Sequence, residues 1–229
     1  MATSGTTAFD LDIDDIIQEA YERCAARTNS GYELKSARRS LNILFSEWGN
    51  RGLHLWKVEL NEQALTSGTA TYTAPTNAND ILEAYVSTTS GQTTGTNDVS
   101  LTKISRSEYA ALPNKGSTGQ PSQYYVDRQK TPTITLYQTP DASTFTHLKY
   151  YYLKRIEDAG AYTNQSDVVF RFIPCMVAGL AYYLSMKYNP QMTQQNKLIY
   201  EDELSRALNE DGQRTSVYIT PQTYYPRGV

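Results

Sequence analysis

The clearest amphipathic pattern in the chain lies at Ala37–Trp56, with the sequence ARRSLNILFSEWGNRGLHLW. Apolar side chains recur there at steps of three and four residues, which predicts a helix with one continuous apolar face. The members of that face are Leu34, Ala37, Leu41, Leu44, Phe45 and Trp48. We expect the helix to end at Gly49 or Gly52. No side chain in it resembles a nucleophile or a metal ligand, so the pattern predicts packing and assembly.

Three further helices are predicted from the same periodicity. The first spans Leu11 to about Arg27, with Asp10 as its N-cap, and the short turn after it predicts an antiparallel hairpin of the first two helices. A helix that starts near Ile173 carries the widest apolar stripe and is expected to be the most buried, with Pro174 in its first turn. A last helix is predicted from about Gln191 to Glu210. Its side chains spaced for one-sided burial are Leu198, Ile199, Leu204 and Leu208.

Between these helices the pattern changes to short runs bounded by turn residues, which is typical of strands. The predicted strands are Leu55–Leu60, Thr69–Thr73, Ile81–Ser87, Val99–Ile104, Gln123–Asp127, Pro132–Gln138 and His147–Leu153. Ser105 and Glu108 have the spacing of a capping box and predict a short helical turn. The polar tracts Ser87–Asp98 and Asn114–Pro121 are expected to be exposed loops. Strands at this spacing predict a small antiparallel sandwich or an open barrel.

These patterns together predict an α+β fold. A helical bundle is built from the N- and C-terminal helices, a small antiparallel β-domain is inserted between them, and an extended tail follows. The expected divisions are a flexible N-terminus at 1–8, a helical hairpin at 9–54, the β-domain at 55–155, the bundle-completing helices at 166–212 and the tail at 213–229. The tail has three tyrosines, two prolines, two arginines and no acid. It cannot form a core alone, so we expect it to be disordered or docked on a neighbour.

Composition narrows the function classes. The net charge of −3 counts against a dedicated nucleic-acid binder, which normally has a basic face. The 19 tyrosines suit interfaces and half-buried positions, and equally the strand surfaces of a β-rich domain. Cys24 and Cys175 are expected to be free, buried thiols. The chain has no apolar run long enough for a membrane span, and its first residues lack the pattern of a signal peptide.

The residues that could carry chemistry do not form a recognisable site. His54 and His147 have no carboxylate or cysteine at ligand spacing, and the consecutive acids at 201–203 point to different faces of a helix. Asp127 and Asp141 lie near strand ends and are the one carboxylate pair that a glycosidase-like site would use. We therefore expect no catalytic residue, no metal site and no cofactor.

Several segments, taken in order, resemble the head-to-tail adaptor proteins of short-tailed bacteriophages, the tail tubular protein A or packaged-DNA-stabilising group. They are RRSLNILFSEWGNRGLHLW (38–56), GQPSQYYVDRQ (119–129), TPTITLYQTPD (131–141), the helix beginning near Ile173 and EDGQRTSVYITPQTYYPRG (210–228). Their order and spacing cover nearly the whole chain. No single segment is as specific as a metal or phosphate motif, so the resemblance depends on the combined order.

The resemblance implies a virion protein of the head–tail junction, assembled in the host cytoplasm. Twelve copies would form a ring beneath the portal protein, extend the channel through which double-stranded DNA passes, retain the packaged DNA and hold the tail nozzle. Under this reading the tail is a portal-docking arm, with contacts expected at Arg214, Tyr218, Tyr224, Tyr225 and Arg227. The inter-subunit or bundle surface would include Arg38, Arg39, Trp48 and Arg51. The loop residues expected to contact tail components or neighbouring subunits are Gln92, Asn97, Lys115 and Gln120.

Two alternatives from other classes stay open at this point. One is a tail-associated glycan hydrolase that uses Asp127 and Asp141 of the β-domain. The other is a carbohydrate- or protein-binding module with a helical dimerisation arm. Catalytic activity would distinguish the first from a structural adaptor, and the size of the assembly would distinguish the second.

Overall fold

A computed structural model describes residues 5, 11–26, 31–51, 55–91 and 97–212 of the chain. The helices in these ranges are Ile13–Arg23 (α1), Gly31–Asn50 (α2), Arg106–Ala111 (α3), Ile173–Tyr188 (α4) and Thr193–Asp211 (α5). The strands are Val58–Ala64 (β1), Thr71–Thr73 (β2), Ala78–Ser87 (β3), Asp98–Ser100 (β4), Thr102–Ile104 (β5), Thr118–Gly119 (β6), Gln123–Asp127 (β7), Thr133–Tyr137 (β8), Thr139–Pro140 (β9) and His147–Lys154 (β10). Helices and mainly antiparallel sheets are both present, so the predicted α+β class is confirmed.

Helix α4 is the centre of the helical part. It packs against α1, α2 and α5, and nine of its 16 residues are buried. It begins at Ile173 with Pro174 in its first turn, as predicted. Helix α1 contacts α4 far more than it contacts α2, so the first two helices are each packed on α4 rather than mainly on one another. The apolar side chains of these helices form one core, in which Cys24 and Cys175 are buried free thiols.

The start of α1 is set by a segment that is distant in the sequence. The amide groups of Ile13 and Asp14 donate to the carbonyl oxygens of Asn164 and Tyr162, both at 3.0 Å. These carbonyls satisfy amides that have no partner within the helix, and the helix begins at Ile13 with Asp12 as its N-cap. The predicted start at Leu11 is therefore two residues early, and the predicted cap Asp10 lies outside the described residues.

The last helix buries Leu204 and partly buries Leu208 as predicted, but the rest of its inner face differs from the prediction. Its buried side chains are Asn196, Tyr200, Leu204, Ala207 and Asp211. Leu198 and Ile199 are 63% and 43% exposed, so the prediction of burial at these two positions is wrong. Tyr200 takes the inward position because its ring stacks on Tyr182 of α4 at a centroid distance of 6.2 Å.

The strands form two four-stranded sheets that share a second apolar core. One sheet has the order β1-β10-β3-β4, and the other has the order β2-β8-β7-β5. Inward side chains of the first sheet, such as Ile81 and Tyr150, belong to the same buried cluster as Tyr124 and Ile134 of the second. Neither order closes on itself among the described strands, so they form two open layers and not a closed barrel. The small pair β6–β9 is parallel and forms a separate two-stranded sheet.

Three details of the predicted strands are corrected. Leu55–Lys57 is a 3-10 turn, and the first strand begins only at Val58. The predicted strand Val99–Ile104 is two strands that belong to different sheets, because the buried Leu101 between them donates its amide to Ala84 of β3. Strand β5 then pairs with β7 in parallel, so the sheets are not wholly antiparallel.

The capping box and the polar tracts have mixed outcomes. The capping box is confirmed, since Ser105 Oγ accepts from the amide of Glu108 at 3.2 Å and Glu108 Oε2 accepts from the amide of Ser105 at 2.7 Å. Ser87 is buried in the sheet rather than exposed, and Thr118–Gly119 is a strand within the predicted loop Asn114–Pro121. Both predicted loops therefore include residues that belong to strands.

Candidate interaction surfaces

Trp48 lies inside the helical core and not on a surface. Its side chain is fully buried, and its Nε1–H donates to the Tyr200 hydroxyl of α5 at 3.0 Å. That hydroxyl in turn donates to Glu47 Oε2 at 3.2 Å. Of the residues predicted at the inter-subunit or bundle surface, Trp48 therefore belongs to the bundle core of its own chain.

Arg51 connects α2 to α5. Its guanidinium donates to both carboxylate oxygens of Glu201, at 2.6 and 2.8 Å, and to Glu47 at 2.7 Å. The guanidinium also lies over the ring of Tyr200, 5.3 Å from its centroid. The hydrogen bond to Glu201 raises the pKa of Arg51 and lowers that of Glu201. Bidentate Arg–carboxylate pairs are among the stronger charge-assisted hydrogen bonds. The hydrogen-bonding capacity of Arg51 is therefore largely used within its own chain.

Arg38 and Arg39 are neighbours with different environments. Arg38 donates to the carbonyl oxygen of Gly160 at 2.8 Å and lies over the ring of Tyr162, so it secures α2 to the segment after β10. Arg39 is exposed and has no ion pair with any residue that the structure describes. Of the three arginines predicted on the helix surface, Arg39 is the one whose charge is open to a partner.

Arg39 lies on a groove between α2 and α4 of about 480 Å³, which we call the basic groove. The residues that line it are Tyr32, Ser36, Arg39, Ile43, Lys187 and Tyr188. The side chains of Tyr32 and Ile43 are 71% and 55% exposed. Lys187 donates to the hydroxyl groups of Ser40 and Ser36 at 2.7 and 3.1 Å, and burial together with the nearby Arg39 charge lowers its pKa. The groove therefore combines positive charge with exposed apolar surface.

Sequence reasoning identified Arg39 but missed the groove. The outward spacing of Tyr32, Lys35, Arg39 and Ile43 is visible in the sequence as steps of three and four residues. The contribution of α4 is not visible, because Lys187 lies about 150 residues away from the α2 serines that it contacts.

The predicted loop contacts have individual roles in the described structure. Asn97 pairs with Thr88 across the β3–β4 hairpin, with its amide 3.3 Å from Thr88 Oγ1. Lys115 donates to the carbonyl oxygens of Ala110 and Leu112, both at 2.9 Å, and so satisfies the end of α3. Gln120 is exposed, and Gln92 lies outside the described residues.

The predicted arm residues Arg214, Tyr218, Tyr224, Tyr225 and Arg227 also lie outside the described ranges. The last described helix ends just before them at Asp211, which is buried and paired with Arg171. This ion pair holds the end of α5 against the 3-10 turn Phe170–Phe172.

Lys57 is a buried cation where the helices meet the sheets. Only 3% of its surface is exposed, and its ammonium lies 5.8 Å from the centroid of the Trp56 ring. Burial lowers the pKa of Lys57 to about 8, although the negative charge of Asp211 acts in the opposite direction. The cleft beside it, about 330 Å³ in volume, is lined mainly by α2 and by the residues that follow β10.

The carboxylate pair considered for a hydrolase is used within local turns. Asp127 accepts from Gln129 at 3.2 Å, and Asp141 accepts from the amide and hydroxyl of Ser143 at 3.2 and 3.0 Å. Neither lines the cleft next to Lys57. Within the described ranges, no three or more His, Cys, Asp or Glu side chains are grouped to hold a metal ion. Nor does any described helix have both the length and the apolar character needed to cross a bilayer.

Comparison with known proteins assigns a family to this arrangement. Residues 4–224 match the family model described as SU10 adaptor protein, which covers nearly the whole chain. None of the curated proteins matches the chain. The match agrees with the resemblance to phage adaptors in the ordered segments of the sequence, and the chain therefore belongs to the SU10 adaptor protein family, a family of phage head-to-tail adaptors.

Proposed function

We propose that the chain is a structural head-to-tail adaptor that forms a ring of twelve copies beneath the portal protein. The ring extends the DNA channel, retains packaged DNA and provides the platform for the tail nozzle. The observation that carries the proposal is the family match over residues 4–224. The ring, its copy number and its partners follow from the resemblance to short-tailed phage adaptors.

The helical part is suited to the role of a rigid seat for neighbouring subunits. The buried hydrogen bond from Trp48 to Tyr200 holds its core, and the Arg51–Glu201 ion pair joins the end of α2 to α5 at the surface. In contrast, Arg39 and the exposed apolar side chains of the basic groove face outward. Specific interfaces are built from charged and apolar side chains that a rigid element holds in place on the surface.

Net charge supports passage of DNA without tight binding. Lys and Arg residues hold DNA by neutralising phosphates, and a channel through which DNA slides needs few such contacts. The chain has a net charge of −3. In the proposed division, helices from 9–54 and 166–212 form the ring body, 55–155 forms the β-domain, 1–8 is a flexible N-terminus and 213–229 is the arm that docks on the portal.

The ring proposal is tested by mixing the purified chain with purified portal protein. Native mass spectrometry and cryo-microscopy should show a complex with a closed ring of adaptor copies on the portal. A chain that stays monomeric both alone and beside the portal would overturn the proposal.

The arm is tested by deleting residues 213–229. We expect loss of portal binding with an unchanged unfolding transition, because the Asp211–Arg171 pair that ends α5 is kept. The double substitution Arg214→Glu with Arg227→Glu should weaken binding as well. The two new carboxylates would repel the acidic portal residues that the arginines are expected to pair with. Lys130→Glu, at an exposed turn between β7 and β8, is the matched charge control. Portal binding that survives the deletion would refute the docking role.

A further inference from the structure

Helix α1 presents an acidic outer face. Asp15, Gln18 and Glu22 follow one another along α1 at steps of three and four residues, opposite the buried face, and Leu11 precedes the N-cap Asp12. We call Leu11, Asp15, Gln18 and Glu22 the acidic stripe. Leu11 is 39% exposed. Neither Asp15 nor Glu22 has an ion pair with any residue in the described ranges, whereas the adjacent Glu19 is paired with Arg23. The stripe therefore combines one exposed apolar side chain with two exposed carboxylates that have no ion pair in the described ranges.

The outer face of α2 has the opposite charge. Tyr32, Lys35, Arg39 and Ile43 are all exposed and follow the same helical spacing. Lys35, like Arg39, makes no ion pair within the part of the chain that the structure describes. Lys187 adds a third positive charge to the lining of the basic groove. The two faces are thus complementary in charge, and each also exposes apolar side chains.

The two faces do not pair with each other within one protomer. Helices α1 and α2 both pack on α4 and contact each other little, and among the described residues no ion pair joins Asp15 or Glu22 to Lys35 or Arg39. Both faces are therefore available to a second copy. Two distinct complementary patches define a heterologous contact, and such a contact generates a ring when its rotation closes.

We propose that the basic groove of one copy binds the acidic stripe of the neighbouring copy. The proposal rests on the proposed ring and names the surfaces that build it. Lys35 and Arg39 face Asp15 and Glu22 across the contact, and Leu11 packs against the exposed apolar side chains of the groove. Complementary charge then selects the register of neighbouring subunits, and the apolar area contributes affinity.

A protein partner suits the groove better than DNA does. The ammonium of Lys187 donates to Ser36 and Ser40, whereas Lys35 and Arg39 have no ion pair among the described residues and are the two cations left for contact. Phosphate binding depends on several such cations along a backbone. The exposed Tyr32 and Ile43 would gain nothing from phosphate, but they are covered by an apolar residue of a second chain.

The test is a charge swap between the two faces. One variant carries Lys35→Glu and Arg39→Glu, and the other carries Asp15→Lys and Glu22→Lys. Each variant alone should assemble at least about tenfold more weakly than the unmodified chain, because like charges then meet at every contact. An equimolar mixture of the two should assemble again, since the altered stripe of one variant meets the altered groove of the other. Lys130→Glu is the control for a charge reversal elsewhere, and circular dichroism checks that each variant is folded.

Assembly is measured by native mass spectrometry and sedimentation, with each chain alone and with portal protein. Restored assembly in the mixture, after loss in each variant, supports the interface. Assembly of either variant at the level of the unmodified chain overturns it, as does a mixture of folded variants that fails to recover, and in both cases the adaptor ring itself stands. An unmodified chain that never assembles overturns the ring and this interface together.

Discussion

Replacing Lys57 by methionine should stabilise the protein at neutral pH. The lysine is 3% exposed, and burial lowers its pKa from an ordinary value of 10.5 to about 8. Methionine has a similar length and no charge, so it keeps contact with the Trp56 ring while removing the cost of burying an ammonium group.

The magnitude follows from the difference between the folded and unfolded pKa values. Below pH 8 the lysine is charged in both states, and its burial costs the folded state about 3 kcal/mol, at about 1.4 kcal/mol per pH unit of difference. Between pH 8 and 10.5 the unfolded state binds more protons than the folded state, so the stability of the unmodified chain rises with pH. The advantage of Lys57→Met should therefore fall from about 3 kcal/mol at pH 7 to about 1 kcal/mol at pH 9.5.

Urea unfolding of the full-length chain at both pH values measures this difference. Lys130→Met, at an exposed turn, serves as the control and should change stability little at either pH. The quantity compared is the difference in unfolding free energy between the variant and the unmodified chain, because tyrosine ionisation near pH 10 affects both chains alike. An advantage of the same size at pH 7 and pH 9.5, or a loss of stability at pH 7, would refute the reasoning.

Two further predictions concern the packing of the helical core. Gly179→Val should destabilise the chain by about 1–3 kcal/mol, because a Cβ at this position would lie 2.8 Å from Leu44 Cδ1 and 2.9 Å from the Tyr200 ring. Adding Leu44→Ala should recover part of the lost stability. An unchanged urea midpoint for the single variant would contradict the close approach of these side chains. Tyr200→Phe should cost about 1–2 kcal/mol through loss of both hydrogen bonds of its hydroxyl. Tyr182→Phe is the control in the same unfolding assay, since the Tyr182 hydroxyl bonds to no described residue. Equal losses of stability in the two variants would contradict the role of the Tyr200 hydrogen bonds.

The proposed interface and the internal ion pairs divide the surface arginines into two groups. Arg38 and Arg51 hold α2 to the rest of the chain, so their substitution should lower stability as well as assembly. Arg39 has no such internal partner among the described residues, so its substitution should affect assembly alone. Comparing unfolding with assembly therefore separates folding effects from interface effects.

Local patterns in the sequence were enough to predict several elements. The start of α4 at Ile173, the capping box of α3 and the strand Gln123–Asp127 all match the structure. Each depends on interactions between residues a few positions apart, such as the bond from Ser105 to Glu108. The α+β class follows from the same information, because helical and strand periodicities are both local properties.

Tertiary structure alone decided which side chains are covered and which are open. Leu101 divides the predicted strand Val99–Ile104 between two sheets because its amide donates to the carbonyl oxygen of Ala84, and no local signal marks that position. Arg51, just after α2, is engaged because it meets Glu201 of α5, 150 positions away, while Arg39 within α2 has no ion pair among the described residues. The sequence by itself determined the helices, most strands and the family; the packing of α4 and α5 decided the surface, because burial depends on residues that only the folded chain brings together.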